Sequence, residues 1–275
     1  MGSIQVGGQL MDLRIPKIMA ILNLTPDSFY DGGKHNSVEN ALQHVGRLLA
    51  EGADILDIGA YSSRPGAQEV GEQEEIDRLL PVIEAIREQH PEAILSIDTF
   101  RAKVADETLR AGAHLINDIG GGRLDGDLFS AVAKWQVPYV LMHSRGTPKT
   151  MQQLTHYENL LLDMVVELSG ALAELRKLGI KDVIVDPGFG FAKTLEQNYL
   201  LLSRLEELKV MGLPILGALS RKSMIYKLLG NSPQQALNGS TALHTLLLMK
   251  GVQMIRVHDV KEAVEVRTLV SQLQG

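Results

Sequence analysis

Ile18-Met19-Ala20-Ile21-Leu22, a polar stretch, an amphipathic segment at 38–50 and then Ile55-Leu56-Asp57-Ile58 make up a short apolar strand, a helix and a second strand, which is the pattern of a βα unit. The alternation recurs as far as residue 260. Apolar runs of strand length fall at 18–22, 55–58, 94–97, 115–116, 139–142, 183–185, 215–218 and 254–257. Helical periodicity follows each of them, at 38–50, 74–88, 102–111, 128–135, 159–178, 195–210, 224–229 and 241–249. Strand–helix pairs about thirty residues apart, eight times over, predict an α/β chain folded as a single (β/α)8 TIM barrel. The competing doubly wound sheet would carry Gly-x-Gly-x-x-Gly after its first strand, and that fingerprint is absent.

Outside the repeat, Ile4-Gln5-Val6-Gly7-Gly8-Gln9-Leu10 reads as a hairpin with a Gly-Gly turn, placed to cover the bottom of the barrel. Residues 261–273 read as a terminal helix with Ala263, Val264, Val266, Leu269 and Val270 on its apolar positions. The expected organisation is therefore one domain over 1–275, with a hairpin at 1–16, the barrel at 17–260 and a last helix at 261–275. Composition agrees with a packed globule: 275 residues, 45% hydrophobic and 22% charged, with a net charge of −6. That charge gives no general attraction to nucleic acid or anionic lipid, so an anion site must be a local cluster. The absence of cysteine excludes disulfides, thiolate metal sites and a cysteine nucleophile. No apolar run approaches the roughly 20 residues of a membrane helix, so the expected location is the cytoplasm.

In such barrels the chemistry lies at the C-terminal ends of the strands. Those ends are polar here: Asn23, then Gly59 with the loop Tyr61-Ser62-Ser63-Arg64-Pro65-Gly66, Asp98, Asn117-Asp118, His143, Asp186, Ser220-Arg221-Lys222-Ser223, and Arg256 with His258. Each alone reads equally well as a cap or turn residue. Capping does not explain cations gathered on the last two strands and amides and carboxylates on the third, fourth and sixth.

Loops after strands seven and eight form the usual phosphate site of this fold. Arg221-Lys222-Ser223 opens a helix there, and Arg256 and His258, two apart, project to one side. Arg256 lies within the apolar Met254-Ile255-Arg256-Val257, where a charge is costly unless paired. A phosphorylated ligand follows. Asp98, Asn117 and Asp186 combine acceptor-only carboxylates with a donor–acceptor amide, which suits the edge of a nitrogen heterocycle; a metal trio is the alternative. Asp186-Pro187-Gly188-Phe189-Gly190-Phe191-Ala192-Lys193-Thr194 lacks the spacing of a Walker phosphate loop, and the long polar 25–33 loop suits a mobile lid.

These residues resemble the dihydropteroate synthase family. The resemblance runs through Ile21-Leu22-Asn23-Leu24-Thr25-Pro26-Asp27-Ser28-Phe29, Ser96-Ile97-Asp98-Thr99, Asn117-Asp118, Met142-His143 and Gly146-Thr147-Pro148-Lys149-Thr150-Met151. It continues through Asp186-Pro187-Gly188-Phe189-Gly190-Phe191, Ser220-Arg221-Lys222-Ser223 and Arg256-Val257-His258-Asp259.

The resemblance implies condensation of 6-hydroxymethyl-7,8-dihydropterin pyrophosphate with p-aminobenzoate, with Mg²⁺, by dissociative loss of pyrophosphate. It implies that Asn23 holds the Mg²⁺, and that Asn23, Arg64, Arg256 and His258 bind pyrophosphate. Asp98, Asn117, Met142, Asp186, Lys222 and Arg256 would bind the pterin, and Ser63, Pro65, Phe191, Lys222 and Ser223 the p-aminobenzoate. Asp98, Lys222 and Arg256 would be the catalytic residues, Asp98 by favouring the cationic pterin. A homodimer is implied as well, with Leu243, Leu246, Leu247 and Leu248 offering apolar surface. The chain departs from the family where Ala60-Tyr61-Ser62-Ser63 replaces Gly-Glu-Ser-Thr, which bears on the second loop and on sulfonamide sensitivity. A methyltetrahydrofolate-dependent corrinoid methyltransferase shares the barrel and pterin pocket but needs no pyrophosphate grip. A non-catalytic pterin-binding paralogue would show lesions at Asn23, Asp98, Lys222 or Arg256, and all four are intact.

Overall fold

The computed structural model describes residues 2–24, 34–61 and 70–274. Two short strands, β1 (Ser3–Val6) and β2 (Gln9–Asp12), pair antiparallel with Val6 opposite Gln9. That register leaves Gly7 and Gly8 as the whole turn, at φ +58° and +75°, the positive pair that a tight hairpin demands and glycine supplies.

Eight parallel strands follow: β3 (Lys17–Asn23), β4 (Ile55–Gly59), β5 (Leu95–Asp98), β6 (Leu115–Asp118), β7 (Tyr139–Met142), β8 (Val183–Asp186), β9 (Leu216–Gly217) and β10 (Met254–Val257). Their order in the sheet is β8-β7-β6-β5-β4-β3-β10-β9, the chain order rotated by one break. A parallel bridge between Val185 and Ile215, with Val185 N–H donating to Pro214 O at 2.8 Å, joins the two edges and closes the barrel. The helices that cover it are α1 (Lys34–Ala50), α2 (Glu72–Gln89), α3 (Ala102–Arg110), α4 (Leu128–Ala133), α5 (Leu160–Lys177), α6 (Leu195–Ser203), α7 (Ser223–Tyr226), α8 (Leu237–Met249) and α9 (Val260–Gln274). No helix among the described residues is long and apolar enough to cross a membrane.

Period-two alternation sorts the strand residues into two apolar clusters. Ile18, Ala20, Leu22, Leu56, Ile58, Leu95, Ile97, Tyr139, Leu141, Ile255 and Val257 face outward into the cluster shared with the helices. Met19, Ile55, Leu115, Val140, Ile184, Leu216 and Met254 form a second cluster in the lumen, closed from below by Ile4 of the hairpin and by Leu13. Two residues further along the same strands, in the same register, come Ile21, Asp57, Asn117, Met142, Asp186, Ala218 and Arg256. The lower lumen is thus oily and the upper lumen charged.

The structure departs from the expected elements in three places. The helix expected over 195–210 is α6 followed by a 3₁₀ segment, Leu205–Met211. Leu205, Leu208 and Met211 recur every third residue and pack on the core, which is the 3₁₀ period. The helix expected over 224–229 is the single turn α7, and α8 starts a turn earlier than expected, at Leu237. Gly239 lies inside α8, where a Cβ would lie 2.3 Å from Ile225 Cγ2, so only glycine lets α8 approach α7. In α9, Val260, Ala263, Val266 and Val270 are buried, whereas Leu269, expected on the apolar stripe, is 69% exposed.

Candidate active site

The upper lumen is built around Arg256. Its Nε donates to Asp57 Oδ2 at 2.5 Å and its Nη2 to Asp98 Oδ2 at 2.6 Å. β10 and β4 both border β3, so Arg256 meets Asp57 across one strand, and it meets Asp98 of β5 across two. Asp57 is wholly buried and also accepts Ser96 Oγ at 2.5 Å and Asn117 Nδ2 at 3.0 Å. Burial opposes the charge on Arg256, but the Asp57 and Asp98 carboxylates outweigh it and hold the guanidinium more firmly protonated than a free arginine. For Asp98 burial dominates, against the pull of Arg256, and pushes the carboxyl up to about 7.

Beside this clamp stand Asp186 and Lys222. Asp186, at the end of β8, accepts the Gly188 N–H at 2.7 Å; burial raises its carboxyl, opposed by that bond and by the Lys222 charge. Burial lowers Lys222 to about 8 against the pull of Asp186, and its Nζ lies 4.5 Å from the centre of the Phe191 ring, a cation–π contact. Gly188, at φ +68°, is required because a Cβ there would fall 1.9 Å from His143 O. Met142 lies on β7 in register with Asp186. Asn23 ends β3 opposite Gly59. His258 lies just past β10 with Nδ1 3.0 Å from Ser220 Oγ, and Ser223 opens α7. Asp98, Asn117, Met142, Asp186, Lys222 and Arg256 are therefore gathered at one mouth of the barrel, with Asn23, Phe191, Ser223 and His258 on its strand ends and loops. Ser63, Arg64, Pro65 and the 25–33 loop lie outside the described residues.

One reading needs correction, the structure decides a second, and one residue was missed. Arg221 does not join the anion cluster: it sits at φ +54° and forms a two-pronged pair with Asp259, at 3.0 and 2.5 Å. The helix it opens is one turn long and supplies little dipole. Asp118 is a loop organiser, accepting the Gly120 and Gly122 N–H groups, each at 2.6 Å, and the Tyr139 hydroxyl at 2.5 Å. Asp57 was missed, although a carboxylate inside Ile55-Leu56-Asp57-Ile58 carries the same signal of a charge in an apolar strand that singled out Arg256. Tyr61, in the altered second loop, stacks edge-on against Phe100 at 5.3 Å, with Arg101 at 5.6 Å from its ring centre.

A closed parallel barrel with an arginine held between a buried and a half-buried carboxylate, and amide and carboxylate groups beside it, is the architecture of a heterocycle-binding enzyme acting at the strand ends. Residues 19–258 match the family described as pterin binding enzyme. The chain is 44% identical over 265 residues, 96% of its length and 93% of the relative's, to the dihydropteroate synthase of Escherichia coli K12. It is 44% identical over 248 residues, 89% of each chain, to that of Clostridium beijerinckii. A solved Yersinia pestis dihydropteroate synthase in complex with a sulfonamide drug superposes with a TM-score of 0.91 at 46% identity, covering 99% of this chain and 98% of that one. A Xanthomonas albilineans dihydropteroate synthase holding 4-aminobenzoic acid superposes with a TM-score of 0.92 at 39% identity, covering 100% and 98%. The chain belongs to the dihydropteroate synthases, transferases of folate biosynthesis that act on small molecules.

Proposed function

We propose the following division of labour for condensing 6-hydroxymethyl-7,8-dihydropterin pyrophosphate with p-aminobenzoate. Asp98, Asn117, Met142, Asp186, Lys222 and Arg256 bind the pterin; Asn23, Arg64, Arg256 and His258 bind the pyrophosphate; Ser63, Pro65, Phe191, Lys222 and Ser223 line the p-aminobenzoate pocket. The observation that carries this reading is the Arg256 clamp. With Nε on Asp57 and Nη2 on Asp98, the guanidinium is held in one orientation at the barrel mouth and cannot swing away. The methylene C–O bond to pyrophosphate breaks, positive charge spreads into the pterin, and the p-aminobenzoate nitrogen bonds to the methylene and loses a proton. Asp98 and Asp186 face the ring that becomes positive, and Arg256 faces the oxygens that become negative, so each charge develops beside a fixed partner of opposite sign.

Mg²⁺ fits this donor set. It takes hard oxygen ligands, keeps several waters and commonly binds through one or two protein oxygens plus substrate phosphates. Asn23 offers one carbonyl oxygen, and among the described residues no group of three or more His, Cys, Asp or Glu is gathered for a metal. When bound, the ion neutralises charge on the departing pyrophosphate. The test is pyrophosphate release with each component omitted in turn. Dihydropteroate is expected only when dihydropterin pyrophosphate, p-aminobenzoate and Mg²⁺ are all present, with pyrophosphate released in equal amount; pyrophosphate release from the complete mixture with no dihydropteroate formed would refute the condensation.

A homodimer belongs to the same proposal, supported by Leu246 of the expected leucines and by three side chains not expected. Leu247 and Leu248 face the barrel and Leu243 is half-buried, whereas Leu246 and Met249 of α8 and Leu269 and Leu273 of α9 are exposed on helices that pack together. Light scattering should give twice the 30.1 kDa chain mass, and Leu269→Glu should halve it; a monomeric mass for the unaltered chain would end the idea.

A further inference from the structure

One buried cluster has no part in the reaction described above. Lys193 is 3% exposed, and its Nζ donates to Gly188 O and to Phe191 O, each at 3.1 Å, and lies 3.0 Å from His143 Nδ1. An ammonium has three N–H groups and no acceptor, so these partners use all of its donors. His143 is fully buried, and burial lowers it to about 4, so its ring is neutral near pH 7. Since Nδ1 accepts from Lys193, the ring hydrogen is on Nε2, which faces Glu167 Oε2 at 3.2 Å but out of line for a full hydrogen bond. Glu167 is in turn paired with Arg145 and Arg123. The two carbonyls that Lys193 grips bracket the loop that carries the site. The N–H of Gly188 fixes Asp186, and the ring of Phe191 supports Lys222.

We propose that Lys193 is a positioning residue for the condensation: its ammonium spans the 188–191 loop and holds Asp186 and Phe191 at the spacing the two substrates need. The proposal rests on reading Asp186 as a pterin contact and Phe191 as a p-aminobenzoate contact. A neutral amine has only two N–H groups, so loss of the proton turns a lone pair toward one of the three acceptors and loosens the loop. Burial lowers this lysine to about 7. Asp186 and Glu167 favour its charge, and Lys222 and Arg145 oppose it, while Tyr157 donates to the adjacent Ala192 O at 2.9 Å. The lysine in the folded chain titrates below its unfolded value, so between those values the unfolded chain binds more protons. Lys193 alone therefore makes global stability rise with pH above about 7, while the loop it grips becomes looser. A purely structural lysine would not separate the two.

Amide hydrogen exchange over 186–194, corrected for the intrinsic rise of exchange with pH, tests this on the unaltered protein. Protection is expected to fall about tenfold between pH 6 and 8.5. Lys193→Met keeps an unbranched side chain and removes every donor. It should show the weak protection at all pH values and raise KM for p-aminobenzoate about tenfold, with kcat within about twofold of the parent. Unchanged protection in both experiments would overturn the proposal, whatever the substrates do. Lowered protection with KM unaltered for both substrates would overturn it as well. Asp186→Ala, measured alongside, locates the fault in that case, because it must lose pterin affinity if the site assignment holds.

Discussion

Asp57→Ala is expected to destabilise the chain by about 3–5 kcal/mol, the cost of removing one partner from a buried ion-pair network. Asp57 is fully buried and receives Ser96 Oγ, Asn117 Nδ2 and Arg256 Nε. Alanine removes the common acceptor of all three at once. It leaves the Asn117 amide and the Ser96 hydroxyl with desolvated donors, and leaves Arg256 tied to Asp98 alone. Because Asn117 and Arg256 then lose their fixed orientation, kcat/KM should fall by about a hundredfold or more even in the folded fraction. Asp57→Asn keeps an acceptor oxygen without the charge and should fall between the two. Urea unfolding with activity measured on the same samples checks both, and an alanine variant within about 0.5 kcal/mol of the parent would show that the network is not structural.

Arg256→Met should be as severe for a different reason. It leaves the Asp57 and Asp98 carboxylates facing each other across a low-dielectric lumen with no cation between them. Arg256 pulls Asp98 down against burial, so removing it sends that carboxyl above about 7, and residual activity should require a more alkaline buffer. Affinity for the pterin pyrophosphate ester should fall further than affinity for the pterin alone, by about 1.5–3 kcal/mol for the lost charge-assisted bond. Asp186→Ala should weaken both ligands alike, because the proposed Asp186 contact is with the ring. Titration calorimetry with pterin and with its pyrophosphate ester separates the two roles, and equal losses for both ligands in both variants would contradict the division. Arg256→Lys should not restore function, since an ammonium lacks the planar fork that engages Asp57 and Asp98 together.

Strand positions were legible from the chain because each strand is a short apolar run between turn residues. The observed elements start and end within about two residues of expectation for all eight barrel strands, with β9 the shortest at Leu216–Gly217. Helix boundaries were less legible where packing overrode local preference. Gly239 sits inside α8 because of Ile225, and the segment after α6 tightens into a 3₁₀ helix because every third residue is buried. In the site, polar residues at strand ends could be seen, but not their partners. The apolar strand around Arg256 signals that this arginine is paired, but not that it pairs with Asp57 and Asp98, and nothing near Arg221 shows that it pairs with Asp259.

Asp57 and Arg256 are separated by 199 positions. No local pattern links them. By itself the sequence determined the alternation of strand and helix, the barrel that eight such units close, and the presence of both cationic and amide–carboxylate groups at the strand ends. Those are properties of period, propensity and residue type along a single stretch of chain. Only the tertiary structure decided that Arg256 is clamped, that Asp57 is the acceptor at the centre, that Arg221 and Asp118 serve the scaffold and that Lys193 grips the 188–191 loop. The Arg256–Asp57 pairing follows from the place of β3 in the sheet, which sets β4 and β10 on either side of one strand and turns their matching faces into the same lumen.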